Sequence, residues 1–508
     1  MAQTFTPRRI EDDEERRNRA ILNHPLFLRG LYRSSLVRFR KIFHPRITSL
    51  FCLLVLSSAG AWIETSSSQS PRQKKEQTLS RISNHVILIS ISGVRADYLN
   101  KPEEFRLRIP AIQSLRTNGA YAAGINSTFP SQTIPAHASL VTGTLPADHG
   151  ITSDYGFDVQ TAAQATEPFH SAKEIKTETI WEYARRAKLT TAAVDFPLTM
   201  GANINYNLHN PAPQESDADA QLRTEVLEAV NKKPDEPSPK TKPASVSQPL
   251  ESFGPDAISY LIERYRPNLT MVHFASFEAA GQRHGLLSQE AISALERIDG
   301  FIDKIVSAAR RAGILPDTTF VIISDHGEAK IEKEFRPNVV LAKKGWLTAN
   351  AKEQITSWRA VAQSYGGSAA IFVKNPQDEA FVREVEAFFL DLHQKPDSAI
   401  WRVFPRRDGA RLGADPRAAL FLDAAPSYSI SAAPTGQVIS KTESRAATGY
   451  SPSRFEMRAA FLLSGRGIKA GARLEFARII DIAPTIARLL GLEMKPARGR
   501  VLSEALAQ

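Results

Sequence analysis

Short apolar runs recur along residues 84–508, and they restrict the fold more than any other feature of this sequence. Residues 86–91 (VILISI) are typical, because a β-branched run ends in Ser92-Gly93, as in a buried strand that leads into a loop. Segments with helical spacing separate these runs, and this alternation predicts an α/β/α sandwich on a largely parallel central sheet. Strands are predicted at 86–91, 190–194, 269–274, 319–323, 369–373 and 460–463, and helices at 256–265, 288–312 and 378–393.

The charge distribution separates the N-terminus from the rest of the chain. The 508 residues carry a formal net charge of +10. Residues 1–46 hold 11 Lys/Arg against 5 Asp/Glu, whereas the remaining residues hold 53 against 49. Binding to a phosphate backbone requires a clustered basic face, and the nearly equal numbers of basic and acidic residues after residue 46 do not indicate one. Nucleic acid is therefore not an expected partner. The single cysteine, Cys52, excludes disulfides within the chain and thiolate chemistry in the globular part.

Residues 47–63 (ITSLFCLLVLSSAGAWI) form an uncharged segment at the short end of the length that crosses a bilayer as a helix. Arg and Lys residues crowd its N-terminal side, which predicts a cytoplasmic N-terminus and an extracytoplasmic main domain, periplasmic or extracellular. A cleaved signal peptide ending near Ala59-Gly60-Ala61 is the alternative. The predicted organisation is a basic cytoplasmic segment (1–46), a transmembrane signal anchor (47–63), a tether (64–83) and a globular domain (84–508) with a Pro-rich insertion near 232–250.

Residues that could perform chemistry follow the ends of the predicted strands, where ligands collect in open α/β sheets. Ser92 follows the first strand, Asp325 and His326 follow the strand at 319–323, and Thr133 opens a helix that runs to about residue 142. A helix N-terminus presents unpaired N–H groups and partial positive charge, which suits a phosphate group and the alkoxide of Thr133. An ordinary helix N-cap is the alternative role for this threonine.

Six blocks of this sequence, in order and spacing, resemble the type I phosphodiesterase/nucleotide pyrophosphatase family of the alkaline phosphatase superfamily. They are ISISGVRADYL, STFPSQTIPAHASLVTGTLPADHGI, VIISDHG, SWRAVAQSYGGSAAIFV, GYSPSRFEMRAAFLLSGRGIK and RIIDIAPTIARLLGLE. The resemblance covers about residues 84–508. It implies an α/β/α sandwich with two zinc ions, a threonine nucleophile that forms a phosphothreonine, and an asparagine that donates to a non-bridging phosphate oxygen.

The resemblance assigns roles position by position. Thr133 matches the nucleophile, and Asp325 and His326 match two ligands of the zinc that activates it. Four further metal-ligand positions are substituted. The family's aspartate after the first strand, its Asp-x-x-Gly-His motif and its C-terminal histidine before Gly-Tyr correspond to Ser92, Glu278, Gln282 and Thr448.

The substitutions predict a degenerate metal site. An amide oxygen and neutral hydroxyls are poor zinc ligands, so we expect at most one divalent metal, zinc by resemblance, or none. The phosphate-contacting asparagine corresponds to Asp154, whose carboxylate would repel a phosphate oxygen instead of donating to it.

Two functions remain open. The first is a membrane-anchored, extracytoplasmic homologue that is catalytically impaired or inactive. The alternative is an active phosphoester or phosphodiester hydrolase, or a phosphoryl transferase, that uses Thr133 with one metal or with Glu278, Asp154 or His284 as substitute ligands. The expected partners are a phosphate-containing small molecule and, through the N-terminal helix, the membrane.

Overall fold

The computed structural model describes residues 79–209, 217–231, 250–494 and 498–507. The basic segment 1–46, the membrane anchor predicted at 47–63, most of the tether and all but Leu250 of the Pro-rich insertion lie outside the described residues. Within the described ranges, no helix combines the length and the apolar character needed to cross a bilayer.

Twenty strands and thirteen α-helices make up the described ranges. The strands are β1 (His85–Ile91), β2 (Gly119–Ala122), β3 (Tyr155–Asp158), β4 (Ala163–Pro168), β5 (Thr191–Val194), β6 (Tyr206–Leu208), β7 (Leu269–Phe274), β8 (Thr318–Ile323), β9 (Ala329–Phe335), β10 (Leu347–Ala349), β11 (Ile355–Trp358), β12 (Ala360–Ser364), β13 (Ser368–Val373), β14 (Ile400–Pro405), β15 (Leu420–Ala424), β16 (Ser427–Ile430), β17 (Ile439–Lys441), β18 (Ala446–Ala447), β19 (Phe461–Gly465) and β20 (Arg473–Leu474). The helices are α1 (Ala96–Asn100), α2 (Pro110–Thr117), α3 (Thr133–Thr142), α4 (Pro146–His149), α5 (Ile180–Arg186), α6 (Asp217–Asn231), α7 (Leu250–Tyr265), α8 (Ser276–His284), α9 (Gln289–Arg311), α10 (Pro337–Lys343), α11 (Glu379–His393), α12 (Arg406–Arg411) and α13 (Ile482–Leu489).

The central sheet has eight strands in the order β20-β2-β19-β8-β1-β7-β5-β6. All neighbouring pairs are parallel except those of β19, which runs antiparallel to both β8 and β2. The strands at the centre are continuous apolar runs, as expected for strands that are covered on both faces. The predicted largely parallel sheet is therefore confirmed.

Helices cover both faces of this sheet. Along β1, Val86 and Leu88 pack into one hydrophobic cluster, which includes residues of α3, α5 and α13. Ile87 and Ile89 point to the opposite face and pack into a second cluster with residues of α2, α7 and α9. Successive side chains of a strand alternate between faces, so an unbroken apolar run supplies both cores. This arrangement is the predicted α/β/α sandwich.

The strand predicted at 369–373 is present, but it belongs to a second sheet. This sheet has four antiparallel strands in the order β12-β13-β15-β14, and its residues contribute to a separate hydrophobic cluster. Helix α11, predicted at 378–393, packs into the same cluster. Periodicity identified these elements but not their sheet, because one partner of β13 is the strand β15, about 50 residues further along the chain.

Three central strands bring the site together. Strands β7, β1 and β8 are neighbours and parallel, so their carboxyl ends lie at one edge of the sheet. The backbone N–H of Ser92, just after β1, donates to the carbonyl of Phe274 at the end of β7, 2.9 Å away. This edge is therefore the place at which the chain segments after β1, β7 and β8 meet.

Candidate active site

Thr133 is the first residue of α3, is partly exposed and faces the segment after β8. Its hydroxyl Oγ1 lies 3.1 Å from Nε2 of His326, within hydrogen-bond distance. Gln132 holds the N-cap position, so the alternative prediction of a capping role for Thr133 is wrong. The threonine hydroxyl therefore lies at the start of a helix and within hydrogen-bond distance of an imidazole.

Asp325 lies behind this pair and is fully buried. Its Oδ2 accepts a hydrogen bond from the Ser92 hydroxyl at 2.7 Å, and its Oδ1 accepts one from the backbone N–H of His326 at 2.9 Å. Burial alone would raise the pKa of this carboxyl, but nearby imidazoles, with His326 the strongest, hold the pKa well below its ordinary value. Burial opposes the imidazolium of His326, yet the carboxylates of Asp325 and Glu278 raise its pKa.

Two of the substituted positions, Ser92 and Gln282, donate hydrogen bonds to carboxylates at ligand positions. Gln282, one turn after Glu278 on α8, donates its Nε2 amide to Oε1 of Glu278 at 2.8 Å. Glu278 Oε1 lies 4.0 Å from Nε2 of His326. Burial raises the pKa of Glu278 to about 7. Ser92 and Gln282 therefore act as donors to carboxylates, the opposite of what a metal ligand does.

Thr448 lies on a segment that is held against the nucleophile loop. The backbone N–H of Gly449 donates to the carbonyl of Ser131 at 2.7 Å, two residues before Thr133. Gly449 has a φ of +83°, and a Cβ at this position would lie 1.7 Å from the carbonyl oxygen of Tyr365. Glycine is thus required for this close approach, which brings Thr448 to the edge of the site.

Asp154 caps the N-terminus of α3. Its Oδ1 accepts a hydrogen bond from the backbone N–H of Ile134 at 2.9 Å. Burial raises the pKa of Asp154 to about 6. The other proposed substitute ligand, His284, ends α8 and lines an open cavity of about 480 Å³ with Arg283 and Gln289.

The raised pKa of Asp154 predicts a pH-dependent effect on stability. The pKa of Asp154 in the folded protein, about 6, is above its ordinary value of 3.8. The folded protein therefore becomes less stable as the pH rises from 3.8 to 6, because the unfolded chain ionises this carboxyl more readily. Asp154→Asn removes this loss and keeps an oxygen that accepts from Ile134. We expect the variant to be more stable by about 1–2 kcal/mol above pH 6.5 and unchanged near pH 3.5, measured by urea unfolding.

The exposed Asp391→Asn on α11 serves as the control for this measurement, and its unfolding curve should match the wild type at both pH values. An Asp154→Asn variant whose stability differs from the wild type equally at both pH values would contradict the assignment.

Two buried histidines near the site escaped the sequence analysis as site residues. His273 lies on β7, with its Nε2 3.5 Å from the Ser92 hydroxyl, and its Nδ1 has no hydrogen-bond partner among the described residues. Its ring meets the ring of His137 edge-on, with centroids 4.7 Å apart. His137 contacts the Thr133 carbonyl and the Ser90 hydroxyl, at 2.8 and 2.9 Å. A histidine inside the apolar run at 269–274 was the one available signal for His273.

Thr133, His326 and Asp325 bring three oxygen and nitrogen donors close together. Bonds of about 2.0–2.1 Å at tetrahedral angles separate neighbouring donors by about 3.3 Å. Thr133 Oγ1 lies 3.1 Å from His326 Nε2, which lies 3.4 Å from Asp325 Oδ2. At the positions of the other family site, the Gln282 amide donates a hydrogen bond to Glu278. Among the residues that the structure describes, no group of three or more His, Cys, Asp or Glu side chains is arranged to hold a metal ion.

This fold and this arrangement of threonine, aspartate and histidine are those of the alkaline phosphatase superfamily. The model of the family "Type I phosphodiesterase / nucleotide pyrophosphatase" matches residues 86–451, more than half of the chain, and the chain belongs to this family. The resemblance stated from the sequence is thereby confirmed.

Curated relatives share part of the chain. Human ectonucleotide pyrophosphatase/phosphodiesterase family member 1 is 24% identical over 247 residues, 47% of this chain and 23% of that protein. A Schizosaccharomyces pombe protein named as an uncharacterized pyrophosphatase/phosphodiesterase is 28% identical over 255 residues, 48% of this chain and 44% of its own length. The matched regions thus span less than half the length of these relatives.

Solved structures share the fold over most of the chain. Murine ectonucleotide pyrophosphatase/phosphodiesterase 5 superposes with a TM-score of 0.59 at 18% identity and covers 83% of this chain and 100% of its own. An inactive variant of the same murine protein in complex with AMP superposes with a TM-score of 0.59 at 17% identity, covering 84% of this chain and 100% of its own. At such identities these likenesses show the fold alone.

Proposed function

We propose that this chain is an extracytoplasmic, membrane-anchored member of the phosphodiesterase/nucleotide pyrophosphatase family with severely impaired or no hydrolytic activity. The observation that carries the proposal is the hydrogen bonding of the substituted positions. Ser92 donates to Asp325, and Gln282 donates to Glu278. Each bond places a hydrogen-bond donor against a carboxylate oxygen at a position where the family offers further metal ligands.

The loss of one metal site removes the usual two-metal mechanism. Two-metal hydrolases clamp the attacking and leaving oxygens between ions that lie about 3.5–4 Å apart. With Glu278 paired to an amide, the second ion has no adequate ligand set. Asp154 adds negative charge beside the α3 N-terminus, where a phosphate oxygen would otherwise bind. Losing one donor at such a position typically slows catalysis by about 10²–10³-fold.

A phosphate-containing small molecule is the proposed ligand. The positive end of the α3 dipole and the side chains of Thr133 and His326 lie together at the start of this helix, which suits a phosphate group. The AMP complex of the murine relative supports a nucleotide-sized ligand for this fold.

The location of the main domain follows from residues 29–63. Positive charges precede the uncharged segment 47–63, which we propose to be a membrane anchor that leaves residues 84–508 outside the cytoplasm. The human relative is named as an ectonucleotide pyrophosphatase, which supports this side of the membrane.

The alternative function is hydrolysis or phosphoryl transfer with a single metal. The observation that favours it is the 3.1 Å contact between Thr133 and His326, which keeps the hydroxyl beside an imidazole. Thr133, Asp325 and His326 would hold this one ion, which would supply Lewis-acid stabilisation of the threonine alkoxide. The chain itself orients the hydroxyl at the α3 N-terminus and keeps Asp325 ionised behind His326.

Metal analysis tests the first proposal. We expect the purified full-length protein, dialysed against buffer with trace zinc, to hold well under one zinc per chain by mass spectrometry of the metal content. Two tightly bound zinc ions per chain would refute the degenerate site.

Hydrolysis of a p-nitrophenyl phosphodiester separates the two functions. For an inactive homologue, wild type and Thr133→Ala should release nitrophenol at the same background rate. Thr161→Ala, an exposed threonine between β3 and β4, is the matched control. A rate that falls at least about 100-fold in Thr133→Ala, but not in the control, would refute the inactive homologue and support an enzyme with Thr133 as its nucleophile.

A further inference from the structure

A cavity of about 460 Å³ lies between helix α4, the hairpin of β3 and β4, and the segment that precedes β15. Its volume is within the range of about 300–1,000 Å³ that is usual for small-molecule sites. Thr133, Ile134 and Asp154 are not among the residues that line it. The cavity is therefore separate from the candidate active site, and the proposed function does not use it.

Aromatic side chains form one part of the cavity wall. Tyr155 and Phe157 lie on β3, and Phe169 directly follows β4. The ring of Phe157 stacks on the ring of Phe372, with centroids 5.1 Å apart, so packing holds it in place. Tyr155 keeps 36% of its surface exposed, which leaves its ring available to a ligand. Such a wall favours a planar ring, because aromatic rings pack against one another in offset or edge-on geometry.

The charged side chains of the wall carry a net positive charge. They are Lys176, Asp415 and Arg417. Arg417 donates to both carboxylate oxygens of Asp415, from Nε to Oδ1 at 3.0 Å and from an Nη2 group to Oδ2 at 2.6 Å. Among the described residues, no carboxylate forms an ion pair with Lys176. The wall thus has one positive charge that is left without a counter-ion.

Gly150 gives the Lys176 side chain its path along the wall. Gly150 has a φ of +84°, and a Cβ built there would lie 2.8 Å from both Cδ and Cε of Lys176. The aliphatic part of the lysine therefore lies directly on the backbone of Gly150. The backbone N–H of Lys176 also donates to the carbonyl of His149 at 2.9 Å, which joins the two segments. A lysine that packs its aliphatic part in this way keeps its ammonium group free for an anion.

We propose that this cavity binds a small aromatic carboxylate, with its ring beside Tyr155 and Phe169 and its carboxylate on the ammonium group of Lys176. Small-molecule sites combine an apolar wall that holds the ligand with a few polar groups that orient it. The aromatic residues of the hairpin supply the first, and Lys176 supplies the second. Hydrogen bonds between two charged groups are about twice as strong as neutral ones, so the carboxylate is the group that selects the ligand.

Calorimetric titration of the full-length protein with naphthoate tests the site without substrate or metal. We expect one naphthoate to bind per wild-type chain. The neutral naphthamide should bind roughly tenfold more weakly, because it lacks the charge that pairs with Lys176. Lys176→Gln should weaken naphthoate binding by about the same factor and leave naphthamide binding unchanged. Lys173→Gln, at an exposed lysine that does not line the cavity, is the matched control and should bind naphthoate as the wild type does.

The ring and the location are tested separately. Tyr155→Ala should weaken the binding of naphthoate and naphthamide alike, because both ligands carry the ring. AMP should not displace naphthoate, since the cavity is separate from the α3 N-terminus.

Four outcomes overturn the site. They are no saturable binding of naphthoate, equal affinity of the wild type for naphthoate and naphthamide, naphthoate binding by Lys176→Gln as tight as by Lys173→Gln, and displacement of naphthoate by AMP. The titration involves neither zinc nor turnover, so its failure leaves the zinc content and the Thr133→Ala comparison as independent tests of the proposed function.

Discussion

Ser92→Asp should lower the free energy of unfolding of the metal-free protein by about 3–5 kcal/mol. Ser92 has no exposed surface, and its hydroxyl donates to the buried Asp325 at 2.7 Å. An aspartate at this position replaces a donor with a second carboxylate, so two negative charges meet in a region without solvent. The neighbouring His273 cannot offset the added charge, because burial lowers its pKa to about 3. Urea unfolding in the presence of EDTA measures the loss.

Zinc should reverse much of this destabilisation. With aspartate at position 92, the site has the second carboxylate that the family uses beside the Asp-His pair, and a divalent cation offsets both charges. We expect the zinc-dependent gain in unfolding free energy to be larger in Ser92→Asp than in the wild type. Ser92→Asn, which keeps a donor toward Asp325 and adds no charge, is the control. A Ser92→Asp protein as stable as Ser92→Asn in EDTA would contradict the hydrogen-bonded arrangement described here.

The central sheet could be predicted from sequence because its signal is local. The runs at 86–91, 269–274 and 319–323 are mostly apolar, and the structure begins and ends these strands within one residue of the prediction. The second sheet was not separable in this way, since β13 pairs with β15 across about 50 residues of chain. Its strands carry the same apolar pattern, and only tertiary contacts decide which sheet a strand joins.

The candidate site was predictable where residues follow parallel strands. Asp325 and His326 follow β8, and Ser92 follows β1. Because ligand sites in open α/β sheets lie at the carboxyl ends of the strands, these residues were expected to lie close together. Glu328 was not predicted, because a glutamate after a strand is usually solvated and only the packing against Gly93 and Gly281 buries it. The hydrogen bond between Gln282 and Glu278 also could not be predicted from the sequence. Glutamine at a ligand position predicts weak metal binding but does not reveal which group it contacts.

Reintroducing the family's ligands should convert the site into a two-zinc centre. The combined variant carries Ser92→Asp, Gln282→His, Thr448→His and Asp154→Asn. Position 282 faces Glu278, whose carboxylate lies 4.0 Å from His326, and the backbone contact of Gly449 with Ser131 keeps position 448 beside the nucleophile loop. A histidine at position 282 would add an imidazole next to the Glu278 carboxylate, and a histidine at position 448 would add one beside the nucleophile loop. Imidazole and carboxylate are the donors that zinc prefers.

We expect the zinc content of this combined variant to rise from well under one to two ions per chain. Hydrolysis of a p-nitrophenyl phosphodiester should rise by at least about 10²-fold, because the amide at position 154 alone restores a donor of the kind worth about 10²–10³-fold. The same variant with Thr133→Ala should bind the zinc pair but hydrolyse nothing above background, which separates metal binding from the nucleophile. If the combined variant folds and still binds less than one zinc per chain, the substituted positions are not the metal corners of the site, and the cause of any inactivity lies elsewhere in the chain.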